Sequence, residues 1–317
     1  MKPGILVLGS VWSDAVREQV AQAFDGHFMA SVPGAGEPAF DAIADSIRGV
    51  LTTGTVGVTP ALVAALPALE IVTVHGVGVD AVPLSLLADK GIRVTNTPDV
   101  LTDDVADFAV TLLLSAVRRV PLLDRYVRDG KWPAKAPLTQ ARALKGKVAG
   151  IVGFGRIGQA VAQRLQGFGL QIRYYQRSPG PAPEQRSASL LALAQESDML
   201  VLCMPGGAAT ERMIGQDIIE ALGPEGTLIN IARGTVVDEA ALVAALQDGR
   251  LGAAGLDVFE NEPAVPAGLL GLDNVVLTPH VGSFTVEARR AMGQLAVANL
   301  VAHFDGKPLP TPVGQSD

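Results

Sequence analysis

Short runs of apolar and β-branched residues recur along the chain, separated by stretches in which apolar positions keep helical spacing. In the first hundred residues this pattern predicts strands at 5–8, 50–52, 71–74 and 92–94. In the middle it predicts strands at 147–152, 171–175, 199–204, 227–231, 254–258 and 274–277. Several are apolar throughout, as strands covered on both faces are. Strands alternating with helices predict an α/β protein with parallel sheets. Helix signals agree. Thr59-Pro60 offers a cap and a proline at the first helical position. Asp238 precedes Glu239-Ala240-Ala241-Leu242, and Gly249 offers a stop near residue 247. Two long helical patterns cover 102–118 and 285–304. Asn96-Thr97-Pro98 punctuates the chain before the first, and 130–143, rich in Pro, Lys and Gln, reads as a connecting arm.

Composition narrows the class. A length of 317 residues suggests two domains. Hydrophobic residues at 48% and charged residues at 18% describe a globular chain rather than a disordered one. Cys203 is the single cysteine, so no intrachain disulfide forms. The apolar run 5–8 is too short for a signal peptide. No uninterrupted apolar run approaches the ~18 residues of a membrane span. The expectation is a cytoplasmic protein with no resident metal. A net charge of −7 argues against nucleic acid and membrane as partners. Positive charge for an anionic ligand must then be concentrated locally.

The strongest local motif is Gly153-Phe154-Gly155-Arg156-Ile157-Gly158, which follows an expected strand and opens a helix with apolar Ile157, Val161, Leu165 and Phe168. The first glycine suits a tight turn, the second lets backbone approach a pyrophosphate, and the third allows close helix–strand packing. The first N–H groups of the helix, from Arg156 and Ile157 onward, face that anion. An NAD site places an acidic residue about 20 positions further on, to hold the ribose hydroxyls. Here Gln176, 18 residues after Gly158, stands there, followed by Arg177 and Ser178. Arg177 is suited to pairing with a 2′-phosphate and the Ser178 hydroxyl to donating to it. NADP(H) is therefore the preferred cofactor, with NAD(H) the other possibility.

Three polar residues follow expected strand ends: Arg233, Glu262 and His280. Ligands of doubly wound folds bind beyond the carboxyl ends of strands, which makes all three candidates for one cleft. Their chemistry suits carbonyl reduction. Hydride arriving at C2 leaves charge on oxygen, and a histidine supplies the proton. A carboxylate beside it orients the ring and favours the imidazolium. An arginine forks onto a substrate carboxylate and polarises the carbonyl. Spacing alone leaves each open to a plainer reading as a turn or loop residue.

Together these motifs make the sequence resemble the D-isomer-specific 2-hydroxyacid dehydrogenases, nearest the glyoxylate/hydroxypyruvate and hydroxyphenylpyruvate reductase branch. The resemblance rests on an ordered series: Val77-Gly78-Val79-Asp80; Asn96-Thr97-Pro98 with Asp104-Val105-Ala106-Asp107; the glycine loop; Asn230-Ile231-Ala232-Arg233-Gly234; Gly255-Leu256-Asp257-Val258-Phe259 with Glu262-Pro263; and Pro279-His280-Val281-Gly282-Ser283. It implies a Rossmann-type nucleotide-binding domain, 99–286, inserted into a flavodoxin-like substrate domain made of 1–98 and 287–317, the two long helices crossing between them. It implies His280 as acid/base, Glu262 as its partner and Arg233 on the substrate carboxylate and carbonyl. Backbone N–H groups of Val77 and Gly78 would hold the substrate carboxylate. Asp257 would hold the nicotinamide carboxamide. Thr102, Met204, Pro205, Thr210, Ile231, Ala232 and Gly282 would complete the cofactor contacts. The family usually forms homodimers through the nucleotide domain, and the segment around Trp132 resembles the arm that reaches the partner. Met204-Pro205-Gly206-Gly207 departs from the Leu-Thr pair common after that proline. His75-Gly76 stands where other side chains are frequent, and His75 either lines the pocket or simply ends a strand. The expected function is hydride transfer between NADPH and C2 of a small 2-keto or 2-hydroxy acid. The rival reading is a dinucleotide-sensing binding protein without turnover.

Overall fold

The computed structural model describes residues 2–9, 12–34, 36–178 and 180–314. Its contacts divide the chain into two compact units, Met1–Leu101 with Phe284–Asp317, and Thr102–Ser283.

The first unit carries a parallel sheet of β1 (Gly4–Leu8), β2 (Asp25–Met29), β3 (Ile47–Thr53), β4 (Ile71–His75) and β5 (Arg93–Thr95), in the order β2-β1-β3-β4-β5. That is the flavodoxin-like order. Successive side chains of a strand point to opposite faces. Leu6 and Leu8 accordingly join one buried cluster with Val50, Val72 and Val74, while Ile5 and Val7 join another with Leu51 and Ile71. Both faces being covered is why these strands read as unbroken apolar runs. β2 was not anticipated. It pairs only with β1, at the sheet edge, and its Asp25-Gly26-His27 start carries no apolar run.

The second unit carries β6 (Val148–Val152), β7 (Gln171–Tyr175), β8 (Met199–Leu202), β9 (Thr227–Asn230), β10 (Ala253–Leu256) and β11 (Val275–Leu277), all parallel, in the order β11-β10-β9-β8-β6-β7. A single parallel bridge from Tyr174 to Arg186 adds one more position outside β7. With that remnant counted as a strand, the arrangement is the Rossmann order 3-2-1-4-5-6 followed by β11. The direction of winding reverses between β6 and β8, and the glycine loop leaves the carboxyl end of β6 at that point.

The two long helices, expected to cross between the domains, each pack inside one unit. Thr102–Val117 lies on β9 and β10 and against the helix Arg156–Gln166, and Val286–Phe304 lies on β4 and the helix Asp14–Ala23. Close approach requires Gly255, where an added Cβ would lie 2.7 Å from the Leu112 side chain. Arg164 donates to Asp103 at 2.8 Å and also pairs with Asp107, tying the start of the long helix to the helix after the glycine loop. The helical pattern 102–118 stops where Arg119 takes φ 55°, and a further helix, Val120–Arg128, follows. Among the described residues no helix is long and apolar enough to cross a membrane.

Candidate active site

The glycine loop can be judged by what side chains would meet there. Gly153 has φ +88°, and a Cβ on it would lie 2.7 Å from the Met204 backbone nitrogen. A Cβ on Gly158 would lie 2.2 Å from the Gly153 carbonyl oxygen. Protein packing thus demands the first and third glycines. The second is different, because a Cβ on Gly155 meets nothing within 4 Å. Its missing side chain leaves open space where a ligand backbone would approach. Gly155 also stands at the N-cap of the helix Arg156–Gln166, where it makes no side-chain cap hydrogen bond. By contrast Ser13, Thr59, Ser189, Asp238 and Thr285 each cap their helices with a side-chain oxygen. The helix N-terminus and the open face at Gly155 fit a dinucleotide pyrophosphate.

Beyond the loop, Phe154 stacks on Tyr174 with ring centroids 4.1 Å apart, and its N–H donates to Gln176 Oε1 at 3.2 Å. The residue at the expected acidic position is therefore turned toward the loop backbone. Arg177 and Ser178 follow it, exposed. Met204, just past the end of β8, borders the glycine loop at Gly153. The buried Thr210 hydroxyl donates to the Pro205 and Gly207 carbonyls, at 2.8 and 3.1 Å, and so closes that segment on itself. Thr102 opens its helix and is half-buried.

Arg233, Glu262 and His280 leave the carboxyl ends of β9, β10 and β11, and local devices converge them. Buried Asn230 accepts from Ala232 N–H at 3.0 Å and donates to the Arg233 carbonyl at 2.9 Å, so it shapes the turn through Ile231 and Ala232. Arg233 Nη1 donates to the Ala232 carbonyl at 2.7 Å. Gly234 is pressed so closely on the Phe259 carbonyl that a Cβ would fall 1.8 Å from its carbon. That contact brings the Arg233 turn against the 259–262 loop. Glu262 Oε1 accepts from Phe259 N–H at 3.2 Å, and Oε2 lies 2.8 Å from His280 Nδ1. Burial pushes the Glu262 carboxyl up. The hydrogen bond and charge of His280, the Phe259 N–H and the Arg233 charge together outweigh it and hold Glu262 below its usual range. The carboxylate is thus ionised at neutral pH and accepts from Nδ1–H, which leaves Nε2 to exchange a proton with a ligand.

His280 sits in the left-handed region, at φ 55°. Asp257, 2% exposed, over-determines that turn. Its Oδ1 accepts from the Thr278 hydroxyl at 2.7 Å and Val281 N–H at 2.9 Å, its Oδ2 from Gly282 N–H at 2.9 Å, and its carbonyl from His280 N–H at 2.8 Å. Burial raises the Asp257 pKa, against the opposing pull of these donors and of the His280 charge. A carboxylate has about four lone-pair sites; three are used here, and one on Oδ2 remains for a further donor such as a carboxamide. Neither the Asn230 turn nor the Asp257 anchor was legible beforehand, because each depends on which strand ends are neighbours.

In the first unit, β4 ends at His75 and runs into Gly76, Val77 and Gly78. Asn96 Nδ2 donates to the Val77 carbonyl at 2.8 Å, and Thr97 N–H to the Gly76 carbonyl at 2.8 Å. Those bonds occupy the Gly76 and Val77 carbonyls and fix the backbone of the loop. His75 is 5% exposed, with its ring edge-on to Trp12 at 5.1 Å. Burial first, and the Arg289 charge second, push its pKa down to about 4. It is a neutral, packed end to β4.

Residues 110–282 match the model of the D-isomer specific 2-hydroxyacid dehydrogenase NAD binding domain. The chain is 52% identical over 271 residues to a hydroxyphenylpyruvate reductase from Plectranthus scutellarioides, covering 85% of this chain and 86% of that protein. It is 44% identical over 314 residues to a 2-ketogluconate reductase from Gluconobacter oxydans, covering 98% and 99%. Among solved structures, an NADPH-dependent glyoxylate/hydroxypyruvate reductase from Sinorhizobium meliloti, in complex with NADP and malonate, superposes with a TM-score of 0.93. That pair is 41% identical, with 99% of this chain and 97% of that one covered.

Proposed function

Because the chain belongs to the D-isomer-specific 2-hydroxyacid dehydrogenase family, we propose that it is an NADPH-preferring reductase of small 2-keto acids, glyoxylate and hydroxypyruvate among them. The protein is an oxidoreductase of 2-keto and 2-hydroxy acids that works with a nicotinamide dinucleotide. Bound NADPH supplies the hydride to the substrate's C2. His280 then delivers a proton from Nε2 to the oxygen that was the carbonyl, while Glu262 holds the ring through Nδ1 and stabilises the imidazolium. Arg233 draws the substrate carboxylate and carbonyl through paired N–H donors. In the first unit, the Val77 and Gly78 N–H groups are the candidates for holding a substrate carboxylate. Gly153, Gly155, Arg156, Ile157 and Gly158 receive the pyrophosphate. Thr102, Met204, Pro205, Thr210, Ile231, Ala232, Asp257 and Gly282 line the cofactor.

The observation that carries this reading is the Glu262–His280 pair at 2.8 Å, set with Arg233 at the carboxyl ends of three strands of a Rossmann sheet. A sensor without turnover has no use for a carboxylate-held histidine there. Preference for NADPH is supported by the absence of an acid at position 176, by exposed Arg177 and Ser178 directly after it, and by the NADPH-dependent relative. The test is a panel of 2-keto acids assayed with NADPH and with NADH. We expect turnover of glyoxylate or hydroxypyruvate and a kcat/KM favouring NADPH. Arg177→Ala should erase most of that preference, a loss of about 10-fold or more for a charge-assisted phosphate contact. Folded, cofactor-binding protein inert on the whole panel would refute the reading. In the same reading the protein is a homodimer whose arm, with Trp132 69% and Leu138 55% exposed, meets the partner; a monomeric mass by light scattering would exclude it.

A further inference from the structure

The polypeptide leaves β7 at Tyr175, turns through Gln176, Arg177 and Ser178, and returns beside β7 at Arg186, where Ser187 N–H donates to the Tyr174 carbonyl at 2.9 Å. At the root of this excursion one guanidinium nitrogen does two jobs. Arg186 Nη2 donates to the Gln176 carbonyl at 2.9 Å and to the Arg177 carbonyl at 3.1 Å. The two carbonyls belong to consecutive residues, and these are the residues that face the choice between a ribose hydroxyl and a 2′-phosphate. The Arg186 Nε is buried with no partner among the described residues. A buried donor left unsatisfied is costly, and a side chain present only to fill space would avoid that cost. On the other side, Gln176 is held by its Oε1 on Phe154 N–H, and Gly180 leaves room that a Cβ would deny, 2.9 Å from Gln176 Nε2. The turn is gripped from both sides: Gln176 ties it to the glycine loop, and Arg186 ties its carbonyls to the returning strand.

We propose that Arg186 is a positioning residue for cofactor choice: by clasping the Gln176 and Arg177 carbonyls it fixes the turn that presents Arg177 and Ser178 to the 2′-group of the dinucleotide. The inference rests on the reading that this turn, rather than another, meets that group. A planar fork suits the task. Its two N–H bonds on Nη2 diverge in one plane and reach two acceptors at once, whereas the lysine ammonium is a point charge on a flexible stem. Arg186 also adds positive charge near the turn, so clasp and charge need separating by experiment.

The test compares Arg186→Met, which removes both, with Arg186→Lys, which keeps the charge. We expect Arg186→Met to lower kcat/KM for NADPH by about 10-fold or more, the scale of a charge-assisted hydrogen bond. The effect should lie in KM for NADPH. Saturated kcat and KM for the 2-keto acid should stay within about 2-fold, because the reacting atoms are not touched. Arg186→Lys should recover only a minor part. Arg186→Met combined with Arg177→Ala should be no worse than Arg177→Ala alone, since the clasp acts through the residue already removed. Full recovery by lysine would overturn the clasp in favour of simple charge. An unchanged NADPH-to-NADH ratio in Arg186→Met, in folded protein, would overturn the proposal altogether. Wild-type protein that prefers NADH would instead refute the cofactor reading, and the change of ratio in Arg186→Met still decides the clasp.

Discussion

Replacing His280 by alanine is expected to lower kcat/KM for 2-keto acid reduction by about 10³-fold, within the range that a positioned general acid contributes. The dissociation constant for the dinucleotide should be nearly unchanged, because the glycine loop and the Gln176 turn lie on other strand ends. Glu262→Gln should act in a different way. Glutamine retains an oxygen for Nδ1–H but has no charge to stabilise the imidazolium that reduction consumes. Its kcat/KM should therefore fall by about 10-fold, the scale of a lost charge-assisted hydrogen bond. The pH dependence on the acidic side has a definite sign. Glu262 is held below its ordinary value of 4.5. A depressed carboxylate contributes stability and orientation that are present above that ordinary value and lost as pH falls through the lower folded value. Reduction should thus persist to below about pH 4.5 before the pair opens, provided the rest of the fold survives. Retention of more than a tenth of wild-type kcat/KM by His280→Ala would remove His280 from the chemistry.

How much of this was readable in advance follows from how local each device is. The glycine loop is written in six consecutive residues, so strand, turn and helix start could be read together. The buried strands were visible because both faces are apolar; β2 was not, because an edge strand with one neighbour needs no such run. Asp238 was readable as a cap, and its side chain does accept from Ala241 N–H. Cross-strand devices could not be read this way. Asp257 and the loop 278–282 are more than twenty positions apart, and so are Phe154 and Gln176. Their pairing exists only once β10 lies beside β11 and β6 beside β7. The same holds for Gly234, whose close approach is to the chain after the next strand. Residue type and position after strand ends made Arg233, Glu262 and His280 candidates. The groups that aim them, Asn230 and Asp257, are ordinary polar residues until the sheet order is known.

Asp257 is where that distinction has its largest measurable consequence. Asp257→Ala leaves the Val281 and Gly282 N–H groups and the Thr278 hydroxyl without their acceptor and removes the support for the left-handed backbone at His280. A catalytic group displaced by about 1 Å loses roughly 10²-fold in rate, and that is the fall in kcat expected here. Asp257→Asn should separate aim from stability. Its Oδ1 still accepts from Thr278 and Val281, while its amide meets the Gly282 N–H donor to donor, so the turn loosens at one point. Burial raises the Asp257 pKa, so in the folded protein the ionised form is held at a cost. The stability contribution of such a group falls as pH rises through its raised value, opposite in sign to Glu262. A neutral asparagine escapes that cost. Asp257→Asn should therefore keep a near wild-type Tm at neutral pH while kcat drops about 10-fold, on the scale of one lost hydrogen bond to a charged group. Hydrogen exchange at Val281 and Gly282 should quicken in both variants. If instead both variants keep wild-type kcat and protection and raise only KM for the dinucleotide, the carboxylate serves the cofactor alone, and the left-handed turn at His280 is held by the Thr278–Gly282 backbone without it.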